Sequence, residues 1–198
     1  MRDAGALAGA AADFVARFGA PDVVIANAGV SQGTVTDFAE DLPAFRSVLD
    51  TNVLGIVHTF QPFVAAMKAA KRGTLVGIAS VAGFRGLPGS GAYSASKAAA
   101  IAYLESLRVE LVGTGVAVVT VCPGYVATPM TAKNPFPMPF LLAPDRAARL
   151  IVRAIARRKR FYVLPWPMAL VGWLLRRVPR PLFDAVFARA QRKPRRSP

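Results

Sequence analysis

Cysteine and histidine are nearly absent from this sequence, with one of each among 198 residues. A single cysteine excludes an internal disulfide, and no cluster of histidine, cysteine and carboxylate residues has metal-ligand spacing. We expect Cys122, at the end of an apolar strand, to be a buried small residue rather than a nucleophile. We expect His58, in the middle of a predicted helix, to have a packing or surface role rather than a catalytic one.

A secretory leader and a membrane-spanning run are missing as well. The N-terminus lacks a basic region followed by an apolar block. The longest apolar run covers residues 161–175. It is shorter than the about 20 residues that cross a bilayer, and Pro165 and Pro167 interrupt it. These features predict a cytoplasmic protein.

Acidic residues are few, and they are distributed unevenly along the chain. The chain has 25 Lys and Arg against 11 Asp and Glu, a net charge of +14. Residues 1–144 hold 10 basic and 9 acidic residues, whereas residues 145–198 hold 15 and 2. The excess positive charge therefore belongs to the last quarter of the chain.

Helical and strand patterns alternate along the chain, which favours an open parallel α/β sheet. An apolar content of 54% is enough for one domain with a sizeable core. Asp3 is expected to cap the first helix and Gly19 to follow its end. Helices are predicted at about 4–18, 43–71, 91–113, 144–158, 168–178 and 182–191, and strands at 22–27, 74–80, 116–121 and 160–164.

Tyr93 and Lys97 are four residues apart, and Ser80 precedes the tyrosine by thirteen. On a helix the first two share one face, where a cation favours the phenolate. Bringing a tyrosine pKa from ~10 to ~7 requires about 4 kcal/mol, which one charge at ~4 Å supplies at an effective dielectric of ~20. The serine hydroxyl could bind the same substrate oxygen. Taken alone, such a pair is more often a surface feature of the helix.

Four further segments accompany this pair in a fixed order. Asn27-Ala28-Gly29 ends an apolar run, Asn52 follows, Ser80 ends a third segment, and Pro123-Gly124 leads to Thr128. In this order and spacing, over about residues 3–165, they resemble the short-chain dehydrogenase/reductase family. The resemblance implies a Rossmann-like, doubly wound parallel sheet and hydride transfer between NAD or NADP and an alcohol or ketone.

The resemblance also implies a role for each matching residue. Tyr93 is the expected general acid/base, and Lys97 is expected to lower its pKa and bind the nicotinamide ribose. Ser80 is expected to contact the substrate carbonyl, and Asn52 to help hold a proton-relay water. The expected cofactor contacts are Asn27, Ala28 and Gly29 on the adenosine side, and Pro123, Gly124, Val126 and Thr128 around the nicotinamide. A homo-oligomer built on helices 43–71 and 91–113 is expected too.

The sequence departs from the family at its start. Members normally begin with a strand, a glycine-rich turn and a helix that receives the pyrophosphate, but residues 1–21 read as one Ala-rich helix. We therefore expect a sheet incomplete at its N-terminus, lacking about 50–60 residues because of a misplaced start. Val23, Val24 and Ile25 would then line an unpaired apolar edge that promotes aggregation.

The loop 123–143 lies where the family has a substrate lid. Phe136, Met138, Phe140, Leu141 and Leu142 would give it an apolar lining suited to a lipid-like ketone or alcohol. Simple packing of these side chains is the equal alternative.

Residues 166–198 are predicted to be a helical extension of the catalytic domain, residues 1–165. Leu182, Phe183, Val186 and Phe187 are expected on the apolar side of its second helix. The extension could pack on the substrate pocket or a partner subunit with a solvated basic tail, or lie on a membrane surface. Nucleic-acid binding is disfavoured because no motif for it is present. An inactive fragment acting through this extension is the alternative function.

Overall fold

Four parallel strands form the centre of the computed structural model, which describes residues 1–132 and 134–195. The strands are β1 (Val23–Ala26), β2 (Gly73–Ile78), β3 (Val116–Pro123) and β4 (Phe161–Leu164), hydrogen-bonded in that order. The predicted α/β class with a Rossmann-like parallel sheet is confirmed. The helices are α1 (Ala4–Phe18), α2 (Leu42–Leu49), α3 (Gly55–Ala69), α4 (Gly91–Glu110), α5 (Pro144–Ala156), α6 (Trp166–Arg177) and α7 (Arg180–Phe187).

Apolar cores cover both faces of the central strands. On one face Phe60 of α3 and Leu104 of α4 pack with Leu75 of β2. On the other face Val119 and Leu164 pack against α5. Parallel strands need crossover helices, and these helices cover the sheet on both sides, which explains the Val-rich sequence of β3.

The ends of α1 agree with the sequence prediction. The Asp3 carboxylate accepts a hydrogen bond from the Ala6 amide at 2.9 Å, and Gly19 follows the helix with φ of 75°. Phe14 then meets Phe63 of α3 edge to face, with ring centroids 6.0 Å apart. The helix is therefore capped locally and held by contact with α3.

The predicted long helix 43–71 is helical from Leu42 to Ala69 but is not a regular α-helix throughout. A π-helical turn, Asp50–Leu54, separates α2 from α3. Asn52 lies in this turn and is fully buried. Its side chain forms hydrogen bonds with the backbone of Val30, in the loop after β1. π-Turns of this kind are often found at functional sites.

Strand β1 lies at an edge of the described sheet and pairs with β2. Val23 and Ile25 are 42% and 48% exposed, whereas Val24 is buried in the core beneath α3. The prediction of an apolar edge therefore fits Val23 and Ile25 but is wrong for Val24, because alternate side chains of a strand point to opposite faces.

Helices α6 and α7 pack onto the preceding residues. α6 begins at Trp166, earlier than predicted, because Pro167 is tolerated in a first turn. α7 ends at Phe187, and only Phe183 and Phe187 of its predicted apolar side face inward. Leu182 and Val186 are 56% and 61% exposed, which corrects the prediction for those two residues. Residues 196–198, the end of the predicted extension, lie outside the described residues.

Within the described parts of the chain, no helix combines the length and apolar character needed to cross a membrane.

Candidate active site

The carboxyl ends of three neighbouring strands meet at one edge of the sheet. Residues 27–29 follow β1, Ser80 follows β2, and residues 124–128 follow β3. Since ligands of open α/β sheets bind at the carboxyl ends of the strands, this edge is the expected site. Because β1, β2 and β3 are neighbours in the sheet, the predicted residues that follow them are close in space although they are far apart in sequence.

Lys97 lies on the α4 face that contacts the sheet. Its side chain is buried, and its Nζ donates a hydrogen bond of 2.8 Å to the Ile78 carbonyl oxygen at the end of β2. The same nitrogen lies 5.8 Å from the centroid of the Tyr93 ring. Burial lowers the pKa of Lys97 to about 8. A lysine held this way carries a charge that is costly to bury, which is typical of functional sites.

Tyr93 is partly buried and lines a cavity of about 590 Å³. Burial raises the pKa of its hydroxyl, and the nearby Ser80 hydroxyl opposes that rise by hydrogen bonding. The sequence predicted that Lys97 would lower the pKa of Tyr93. In this arrangement burial has the larger effect, and the lysine is directed at the Ile78 carbonyl. The phenol is therefore held in its protonated form.

Ser80 is fixed by the short turn that follows β2. Its Oγ accepts a hydrogen bond from the Ala82 amide at 3.1 Å and donates to the Pro123 carbonyl at 3.4 Å. The side chain lines the same cavity as Tyr93. Both hydroxyls can therefore reach one substrate oxygen.

Asn52 connects the π-turn with the loop after β1 and with α4. Its Oδ1 accepts from the Val30 amide at 2.8 Å, and its Nδ2 donates to the Val30 carbonyl and to Ser96 Oγ, both at 2.9 Å. Ser96 Oγ in turn donates to the Tyr93 carbonyl at 2.7 Å. Both amide hydrogens of Asn52 are thus used for positioning, and its role with a relay water stays a prediction. The sequence analysis did not identify Ser96.

Gly29 lies in contact with this network. A Cβ at this position would come 3.4 Å from both Asn52 Oδ1 and Lys97 Nζ. Asn27 is exposed and Ala28 partly buried beside it. Gly29 is therefore placed beside Lys97, and the cofactor contacts of all three adenosine-side residues stay predictions.

The loop after β3 is held by its own hydrogen bonds. The Gly124 amide donates to the Leu164 carbonyl at 2.7 Å, and Gly124 lines the cavity. The Thr131 hydroxyl donates to the Val126 carbonyl at 2.6 Å and accepts from the Thr128 amide at 3.0 Å. Of the predicted nicotinamide-side residues Gly124 lines the described cavity, whereas Val126 packs against the core under α5, and the cofactor contacts of Pro123, Gly124, Val126 and Thr128 stay predictions.

A cavity of about 590 Å³ opens beside Ser80 and Tyr93. Of the five predicted lid residues only Phe136 lines it. Leu142 is buried under α5, Phe140 and Leu141 are exposed, and the Met138 sulfur contacts the Asn134 amide. Leu142 therefore follows the alternative of simple packing, and Met138, Phe140 and Leu141 lie outside the described cavity wall.

The remaining walls come from the C-terminal extension, which agrees with the alternative in which the extension packs on the substrate pocket. One face of α6, together with Phe187 of α7 and Lys193, closes the cavity. The spacing of the α6 residues, at i, i+3, i+4 and i+7, could have indicated a helix face that requires burial. These α6 residues are Met168, Val171, Gly172 and Leu175.

Part of a nicotinamide cofactor fits the residues present. The Lys97 ammonium and the Tyr93 hydroxyl are hydrogen-bond donors that suit its ribose, and the polar backbone of residues 123–128 suits its carboxamide. A glycine-rich strand–turn–helix unit for the pyrophosphate is absent from residues 1–132 and 134–195. The described residues therefore fit the nicotinamide end of the cofactor.

This geometry defines an α/β oxidoreductase. A family model described as short chain dehydrogenase matches residues 1–136, and this chain belongs to that family of NAD(P)-dependent dehydrogenases and reductases. It is 46% identical over 176 residues to an uncharacterized oxidoreductase of Myxococcus xanthus (strain DK1622), covering 88% of this chain and 68% of that one.

Other relatives and one solved structure agree. Dehydrogenase/reductase SDR family member 7B of Bos taurus is 32% identical over 216 residues, covering 100% of this chain and 64% of its own length. Ketoacyl reductase HetN of Nostoc sp. is 37% identical over 142 residues, covering 69% of this chain and 49% of its own. A short-chain dehydrogenase from Burkholderia cenocepacia J2315 in complex with NADP superposes with a TM-score of 0.81 at 25% identity, covering 96% of this chain and 76% of that one.

Proposed function

We propose that this chain transfers a hydride between NAD or NADP and an apolar alcohol or ketone. The observation that carries the proposal is the position of Ser80 and Tyr93 in one wall of the same cavity, with Lys97 buried beside them. Relatives named as ketoacyl reductases favour carbonyl reduction as the direction.

The side chains of this site have distinct tasks in ketone reduction. Tyr93 donates its proton to the substrate oxygen from the neutral phenol, the form that burial favours. Ser80 donates a hydrogen bond to the same oxygen and stabilises the charge that develops there. The Lys97 ammonium, 5.8 Å from the Tyr93 ring, then stabilises the phenolate left behind.

The nicotinamide, when bound, supplies the hydride or accepts it in the reverse direction. Lys97, Asn27, Ala28, Gly29 and the loop from Pro123 through Gly124 and Val126 to Thr128 would hold it. Asn52 orients this site through Val30 and Ser96. The preference for NAD or NADP is not assigned by these contacts.

Substitution of the hydroxyl groups tests the proposal. Tyr93→Phe and Ser80→Ala should lower the rate of NADPH or NADH oxidation with apolar ketones by about 10²–10⁴-fold. Tyr103→Phe is a matched control, because it removes a hydroxyl from the same helix away from the cavity. A near-normal rate for Tyr93→Phe would refute the mechanism. Nicotinamide binding, followed by fluorescence, separates loss of chemistry from loss of cofactor.

Peripheral membrane contact is a second candidate function of the extension. Trp166, Leu170 and Trp173 on the outer side of α6 are 78%, 54% and 50% exposed. Arg176 and Arg177 lie in the last turn of the same helix, and such a pattern suits an interfacial helix. Co-sedimentation with phosphatidylserine vesicles should fall in high salt and in Trp173→Ser. Unchanged recovery in the presence and absence of vesicles would contradict membrane contact.

We also propose a homo-oligomer. Val109 and Val112, at the end of α4 and just after it, are 60% and 75% exposed. Exposed aliphatic side chains on neighbouring positions are often covered by a partner. Light scattering on the purified chain and on Val109→Glu distinguishes an oligomer from a monomer.

A further inference from the structure

Residues 188–195, which we call the C-terminal strap, lie across the side of the cavity formed by the loops after β1 and β2. A Cβ on Gly33 would come 2.4 Å from the Pro194 carbonyl oxygen, and a Cβ on Gly89 would come 2.8 Å from Arg192 Cβ. Gly33 also forms a parallel bridge with Arg195. Because Gly33 and Gly89 have no side chains, the strap can pack directly against the backbone of both loops.

The end of the strap is anchored by charge. Arg195 Nε donates to Asp41 Oδ2 at 2.8 Å, and its Nη2 donates to Glu40 at 3.1 Å. Its guanidinium also stacks on the Phe38 ring. The Asp41 side chain is 9% exposed and accepts from the Val35 amide too, so this ion pair is less screened than a surface pair. The anchor fixes the residue two positions earlier, Lys193.

Lys193 places a cation in the wall of the cavity beside Tyr93. Its Nζ donates to Ser31 Oγ at 2.7 Å and lies 5.9 Å from the centroid of the Tyr93 ring. No carboxylate of the described residues forms a salt bridge with it. Burial lowers its pKa, which is the response of a cation that lacks a compensating charge.

The other charged side chain of the cavity wall is already engaged. Arg85 donates to the Val178 carbonyl at 3.1 Å and stacks on the Phe183 ring. The described wall contains no Asp or Glu. The ammonium of Lys193 has three donors and gives one to Ser31, so two remain for a ligand. An otherwise apolar cavity thus carries a positive group near the reacting hydroxyl.

We propose that Lys193 is a specificity-determining residue that selects apolar oxo or hydroxy acids, by binding their carboxylate close to the carbon that reacts at Tyr93. This inference rests on the proposed function for its catalytic part. The carboxylate supplies the missing negative charge, and the alkyl chain fills the apolar remainder of the cavity.

Calorimetry tests the binding part without turnover. Octanoate and octanamide have the same chain and differ in charge. The chain should bind octanoate roughly 10–100-fold more tightly, the range expected of charge-assisted hydrogen bonds. Lys193→Met should abolish this preference, Lys193→Arg should retain it, and the exposed control Arg189→Met should leave it unchanged. Equal binding of both ligands by the unaltered chain, or a preference that persists in Lys193→Met, would overturn the proposal.

Kinetics tests the catalytic part with 4-oxononanoate and its methyl ester. Lys193→Met should lower kcat/KM for the acid by roughly 10–100-fold and leave the neutral ester unchanged. An equal loss for both substrates with a shifted pH profile would show that Lys193 acts on Tyr93 instead, which overturns the proposal. Absence of turnover with every substrate, while octanoate is still preferred, would refute the proposed function but support the carboxylate site.

Discussion

The ammonium nitrogen of Lys97 donates a 2.8 Å hydrogen bond to the Ile78 carbonyl oxygen and lies 5.8 Å from the centroid of the Tyr93 ring. Strand β2 ends at Ile78, so the sheet itself orients the lysine of α4. No carboxylate of the described residues pairs with this buried cation. Such an arrangement costs stability, and its use is best explained by the anion that forms on Tyr93.

Lys97→Met should show this cost as a pH-dependent difference in stability. The pKa of Lys97 is lowered from 10.5 to about 8 on folding, so the unfolded chain binds this proton more tightly. The penalty is complete below about pH 8 and disappears as the pH rises towards 10.5, since the folded state then holds a neutral amine. The stability advantage of Met over Lys should therefore shrink by about 3 kcal/mol across this window.

Urea unfolding at about pH 7 and pH 10 measures this difference. Exposed Lys68→Met is the matched control and should show no comparable change. A difference between Lys97→Met and the unaltered chain that stays constant with pH would contradict the buried cation. In the same variant we expect ketone reduction to be lost, because the phenolate of Tyr93 then lacks the buried cation of Lys97.

Asn52→Ala should destabilise the chain strongly. The substitution leaves both the amide and the carbonyl of Val30 without their partner and removes a bond to Ser96. Two partly buried backbone groups without hydrogen-bond partners should lower the free energy of unfolding by about 2–4 kcal/mol. The free energy of unfolding in urea measures the loss, with exposed Gln61→Ala as a control that removes the same amide group. A loss equal to that of the control would show that water replaces the side chain.

Local signals in the sequence were sufficient for the elements and for part of the site. Asp3 and Gly19 mark the ends of α1, and Tyr93 and Lys97 share a helix face as their spacing predicts. The π-turn at Asn52 was missed because it depends on hydrogen bonds to Val30, which is 22 residues away. The ion pair between Asp41 and Arg195 could not be predicted, since the two residues are 154 positions apart and nothing near Asp41 in sequence indicates its partner.

Gly33→Ala should loosen the C-terminal strap. The new Cβ would come 2.4 Å from the Pro194 carbonyl oxygen, a separation that forces the backbone of the strap to move. Trypsin should then cleave after Arg192 several-fold faster, because cleavage requires local opening. Gly86→Ala is the control, since its Cβ would enter open space. Equal cleavage rates in the two variants would mean that the strap does not depend on this contact.

Ile25→Lys should reduce aggregation of the chain. Ile25 is 48% exposed on the edge strand β1, and a charge at such an edge opposes pairing with another chain. The free energy of unfolding should change by about 0.5 kcal/mol or less, because little apolar surface is lost from the core. Val24→Lys is the matched contrast: the neighbouring side chain is buried, so the same charge should unfold the chain. Light scattering over time follows aggregation, and equal rates for Ile25→Lys and the unaltered chain would show that association proceeds through another surface.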